Sequence, residues 1–192
     1  MNFNLLVEEV LNELFSSSIK ADWSPVKNSF VTSFTTGPAG PEDNPTKKYI
    51  LTVTKGEGIY NELYQDLDDE DLDYVDLKKD REFNKFVNAN KDLPVYNITF
   101  EDVDYSPMRD DKGKSSFGIT GEGNAVEVFS KVVGLLRDFL STNEIRVVGF
   151  TASEPSRIKL YNTMVRKLAS ELGYNSFQYN NINRTAHYIL YK

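Results

Sequence analysis

Three side chains able to do chemistry stand close together where a buried-strand pattern gives way to a helix pattern: Glu154, Arg157 and Tyr161. A carboxylate at a strand end is a candidate proton acceptor, since burial there would raise its pKa. An arginine in the first turn of a helix opposes the macrodipole, so it favours an anionic neighbour such as Glu154, Glu122, or the phosphate or carboxylate of a ligand. A second set, Gly121-Glu122-Gly123-Asn124-Ala125, opens another helix, and free N–H groups at such a start attract anions. Each set also has a plain structural use. Glu154 or Ser153 caps the helix, Tyr161 lies on its apolar stripe, and the two glycines let the chain turn tightly into a helix capped by Asn124.

Other chemistries are narrowed by composition. The 192 residues contain no cysteine, which removes thiolate metal sites, disulfides and cysteine nucleophiles and fits a reducing compartment. His187 is the only histidine, so no metal site built mainly on imidazole is available and it is expected as a sheet residue. Asp66, Asp68, Asp69, Glu70, Asp71, Asp73 and Asp76 invite a calcium reading. They lack the central glycine and the closing glutamate of a calcium loop, and read better as a solvated segment. No metal is expected. With 22 basic against 29 acidic residues the net charge is -7, which argues against a phosphate-backbone partner, so no nucleic acid is expected. No apolar run reaches membrane-spanning length.

The elements that position these residues follow from periodicity. Phe3, Leu6, Val7, Val10 and Leu14 share one face of an amphipathic helix within residues 1–20, without the basic start of a secretion signal. "NSFVTSFTT" and "KKYILTVT" read as paired strands, "IYNELYQDL" and "REFNKFVNA" as short helices around an acidic loop over 65–80. "LPVYNITFEDVDY" and "KSSFGIT" read as a second strand pair. From Ala125 to Leu140 apolar residues recur at three-and-four spacing, and "IRVVGFTA" packs apolar residues consecutively, like a strand covered on both faces. Pro155 presets the first turn of the next helix, Gly173 ends it, and "SFQYN" and "TAHYILYK" close the chain as a hairpin. The expectation is one domain over 1–192, of mixed α+β class with a mostly antiparallel sheet of about six or seven strands.

The order strand, glycine-rich turn, helix, buried strand, helix with Leu160-Tyr161 closed by Gly173-Tyr174, then hairpin, resembles the GNAT N-acetyltransferase superfamily over roughly the last hundred residues. The pairing of "ITGEGNA" with "EPSRIKLY" also resembles uncharacterised proteins of tailed bacteriophages. The GNAT resemblance implies acetyl-CoA in the splay between the fourth and fifth strands, its pyrophosphate on the amides of Gly121, Gly123, Asn124 and Ala125, with Arg157 near a phosphate. It implies Tyr161 as the acid that protonates the leaving thiolate and a primary amine as acceptor. Such a transfer needs a group to take up the amine proton, and Glu154 is the candidate. The motif is half kept: Thr120 replaces the family's Arg or Gln, Glu122 puts a carboxylate beside the proposed phosphates, and Glu154 and Arg157 replace an Asn and a small residue.

Three functions fit these residues. One is an acetyl-CoA-dependent N-acyltransferase in a host cytoplasm. Another is a non-catalytic phage protein that keeps the fold and serves in the virion or binds a host factor. The last is an acidic decoy acting through residues 66 to 76.

Overall fold

The computed structural model describes residues 19–37, 47–64, 80–103, 125–152, 155–180 and 185–192. They form a mixed α+β fold. The strands are β1 (Ser24–Val26), β2 (Ser29–Thr36), β3 (Lys47–Gly58), β4 (Pro94–Asp102), β5 (Val147–Ala152), β6 (Asn175–Asn180) and β7 (Ala186–Tyr191). The helices are α1 (Ile59–Tyr64), α2 (Arg81–Ala89), α3 (Ala125–Thr142) and α4 (Pro155–Leu172). The strands make one seven-stranded sheet in the order β1-β2-β3-β4-β5-β7-β6. β1 with β2, β5 with β7, and β6 with β7 are antiparallel, whereas β4 and β5 are parallel. A parallel pair needs a crossover, and α3 lies between β4 and β5 in the chain.

The chain divides into two compact units, residues 1–52 with 99–142, and residues 53–98 with 143–192. In the first, α3 is buried through the consecutive residues Val132 to Leu136, more than a single stripe. Gly134 explains one contact: a Cβ there would meet Ile19 Cδ1 at 3.0 Å, so the chain before β1 lies tight against the helix. The rings of Trp23 and Phe30 pack on Phe139 at 4.7 and 5.2 Å.

In the second unit the β5 residues Val147, Val148, Gly149 and Phe150 are all buried, as the unbroken apolar run predicts. One face of this part of the sheet carries Val95, Val147, Phe177, Ile189 and Tyr191, packed against Ile59 and Leu63 of α1 and Phe83 and Val87 of α2. Phe83 stacks on Phe177 at 4.0 Å. Asp80 starts α2 by accepting bonds from the N–H groups of Glu82 (3.1 Å) and Phe83 (3.0 Å). The start of α1 is fixed by Ile59 N–H donating to Leu93 O at 2.7 Å. Gly58 permits that approach, because a Cβ there would stand 2.5 Å from Lys91 O. On the other face α4 buries Tyr161, Met164, Val165 and Leu168, and Gly173, at φ +70°, ends the helix.

The paired strands at 29–36 and 47–58, both short helices, α3, α4 and the closing hairpin stand where the periodicity puts them. β1 was not foreseen: three residues before a turn at Lys27, φ 53°, are too short to carry an alternation. The N-terminal helix, the acidic loop and the strand expected at "KSSFGIT" lie outside the described residues.

Candidate functional site

The strand registers place two rows of side chains side by side on the α1-facing surface of the second unit. Asn97 stands opposite Gly149, and Gly149 opposite Ile189. Two residues further along β5, Thr151 stands opposite His187, and His187 opposite Tyr179. Because strand side chains alternate, residues two apart share a face, so both rows look the same way. Between the larger side chains Gly149 leaves a dip, and above it lies a cavity of about 210 Å³ roofed by Glu62 and Leu63.

The dip is tight even for glycine. A Cβ on Gly149 would come within 2.9 Å of Asn97 Oδ1 and 3.0 Å of Val95 Cγ1. The roof depends on a second glycine, since a Cβ on Gly56 of β3 would fall 2.0 Å from Glu62 Oε1. That oxygen accepts hydrogen bonds from Asn97 Nδ2 and from the Glu57 amide, both at 3.1 Å. Among the described residues Oε2 carries no hydrogen bond. His187 lies flat on Tyr179, ring centroids 4.6 Å apart and planes 10° from parallel. Thr151 is exposed and marks the mouth. The described residues around the cavity include one carboxylate and no lysine or arginine. The lining therefore combines a single negative charge with an apolar wall of Leu63, Val95 and Ile189.

The tyrosines around this part of the sheet are tuned by burial. Tyr188 donates its hydroxyl to Ile158 O at 3.1 Å, and loss of solvent pushes its pKa up to about 12. Burial also raises Tyr174, whose hydroxyl donates to Ile145 O at 2.5 Å. Tyr191 is raised by burial first and then by the carboxylates of Asp80 and Glu82.

The residues singled out from sequence are only partly placed. Tyr161 is buried at 7% exposure, its ring 5.5 Å from Phe150 and 5.9 Å from Tyr188. It sits on α4, and both of its ring neighbours, Phe150 and Tyr188, also line the cavity. Ala125 is the first residue of α3, and Arg157 stands in the first turn of α4. Gly121, Gly123, Asn124 and Glu154 lie outside the described residues, as does the side chain of Arg157. His187 is a strand residue, as expected, and it also lines the cavity. Sequence reasoning missed Glu62, Asn97 and Thr151. The available signal was the set of glycines inside strand patterns, Gly56 and Gly149, which mark close approach of neighbouring groups.

Residues 57–180 match the model of a family described as of unknown function, DUF6934. The chain belongs to this family. No curated protein and no solved structure matches it. The DUF6934 span takes in Glu62, Asn97, Gly149, Thr151 and Tyr161, and stops before His187. Among the described residues no helix is long and apolar enough to cross a membrane, and no group of three or more His, Asp or Glu is placed to hold a metal ion.

Proposed function

We propose that this DUF6934 protein is a GNAT-like N-acyltransferase that moves an acetyl group from acetyl-CoA to a primary amine. The observation that carries the reading is the junction of β4 and β5. Among the described residues they form a parallel pair in a mostly antiparallel sheet, and their ladder pairs Tyr96 with Val148 and Asn97 with Gly149. β4 runs on to Asp102 and β5 to Ala152, and the cavity opens beside the Asn97–Gly149 rung. Topological switches of this kind are where sheets leave room for ligands at the carboxyl ends of strands.

Acetyl-CoA supplies the activated thioester. The amine nitrogen bonds to the acetyl carbon as the C–S bond breaks. The nitrogen's proton passes to Glu154, and a proton from Tyr161 reaches the departing sulfur. By the GNAT resemblance, the amides of Gly121, Gly123, Asn124 and Ala125 would hold the pyrophosphate, and Arg157 would be a further anion partner. The acidic chain favours a basic acceptor. The test is thiol release from acetyl-CoA in the presence of a panel of primary amines. Amine-dependent release is expected, and its absence across the panel contradicts the proposal.

One observation favours a second reading, a non-catalytic protein that keeps the scaffold as a virion component or host-factor binder. Tyr161 is packed among Phe150 and Tyr188 as a core aromatic would be. Under that reading purified particles or a host complex contain the protein, and thiol release is never seen.

A further inference from the structure

We infer that the cavity beneath α1 is a binding site for a small primary amine with one compact apolar body, Glu62 holding the ammonium group. This deepens the acyltransferase reading by naming the acceptor, and it rests on that reading only for the acyl step.

The charge argument comes first. Glu62 Oε1 accepts from Asn97 Nδ2 and from the Glu57 amide, which orients the half-buried carboxylate. Its second oxygen has no hydrogen bond among the described residues, and no lysine or arginine lines the cavity among them. A protein that pins a carboxylate over a partly apolar hollow without a cation has left the cation to be brought in. An ammonium group suits this place because it donates up to three hydrogen bonds, and Glu62 and Asn97 Oδ1 are acceptors.

Size and surface give the rest of the ligand. An apolar cavity of roughly 150 Å³ takes one benzene. The 210 Å³ here therefore suits one ring-sized body and a short aminoalkyl arm. Leu63, Val95 and Ile189 supply the apolar wall, and the stacked Tyr179–His187 pair supplies a flat face beside the mouth at Thr151. Gly149 and Gly56 are the residues that keep the volume and the carboxylate in place; either side chain grown by one methyl group would invade the site.

The unique histidine allows a test on the unmodified protein. His187 lines the cavity, so its imidazole proton is a single resolved reporter in a proton NMR spectrum. Benzylamine is titrated without acetyl-CoA, and benzyl alcohol, of the same shape but without the charge, is titrated in parallel. The amine is expected to shift the His187 signal saturably, the alcohol at least about tenfold more weakly, and Glu62→Gln to remove most of that difference. A signal unmoved by benzylamine, or moved equally by the alcohol, overturns the inference. So does a folded Glu62→Gln protein that binds the amine as the parent does. Amine binding without any thiol release keeps this site and discards the acyltransferase; thiol release with a KM for amine unaffected by Glu62→Gln does the reverse.

Discussion

Asn97 on β4 and Glu62 on α1 are joined by a hydrogen bond of 3.1 Å, 35 residues apart in sequence, and the bond spans the rim of a cavity whose floor is a glycine. It ties a six-residue helix, too short to hold itself together in water, to a central strand. Neither residue belongs to a sequence motif. Their meeting depends on Gly56, Gly58 and Gly149, each of which lets another part of the chain come closer than a side chain would allow.

Gly56→Ala tests that dependence. The new Cβ would lie 2.0 Å from Glu62 Oε1 and 2.9 Å from Asn97 Nδ2, both ends of flexible side chains, and 3.1 Å from Val95 O, so the carboxylate swings away and the neighbouring strand gives by a few tenths of an ångström while the fold persists. Benzylamine binding, read at His187, is expected to fall as it does in Glu62→Gln. Stability by urea denaturation is expected to change by no more than about 1 kcal/mol. Unaltered binding would mean that Glu62 does not define the site.

Tyr161→Phe separates a proton donor from a packed ring. The variant keeps the aromatic contacts with Phe150 and Tyr188 and removes only the hydroxyl. If the hydroxyl protonates the leaving thiolate, kcat for thiol release falls roughly a hundredfold while the melting temperature barely moves. A variant with full kcat would make Tyr161 a core residue alone.

Phe83→Ala reports on the support beneath the cavity. Phe83 is fully buried, stacked on Phe177 at 4.0 Å and close to Tyr191 at 5.2 Å. Truncation loses both transfer energy and packing, and is expected to cost roughly 3–5 kcal/mol in equilibrium unfolding. A loss under about 1 kcal/mol would show that α2 is not anchored as described.

Alkaline titration follows from Tyr188. Its folded pKa of about 12 exceeds the ordinary value of about 10, so between these limits the unfolded chain releases the proton first. The contribution of Tyr188 to stability is full below about pH 10 and is lost as pH rises towards 12. Comparing the parent with Tyr188→Phe isolates it, because other groups titrate in both. The stability difference between the two proteins is expected to shift against the parent across that window; a constant difference would mean that the hydroxyl is not buried.

The architecture was legible where one physical signal dominated. Richness in β-branched and aromatic residues marked β2 and β3, three-and-four spacing marked α3 and α4, and a consecutive apolar run marked β5. The face of α4 that buries Tyr161, Val165 and Leu168 could be read from spacing alone. The cavity could not be read that way. Glu62 sits in a short polar helix and Asn97 in a strand where polar residues are ordinary. Only the parallel register of β4 and β5 brings Asn97 beside Gly149. Local periodicity carries no information on which distant strands become neighbours. His187 was read as a plain sheet residue for the same reason: its row partners, Thr151 and Tyr179, come from two other strands.

Thermal melting with saturating acetyl-CoA tests the acyltransferase account most directly, because a ligand that binds only the folded protein must stabilise it. At a concentration about a hundred times the Kd the gain is about 2.7 kcal/mol, seen as a rise of several degrees in Tm. The account predicts that rise with acetyl-CoA and with free coenzyme A. An unchanged melting curve at saturating concentrations of both would contradict it.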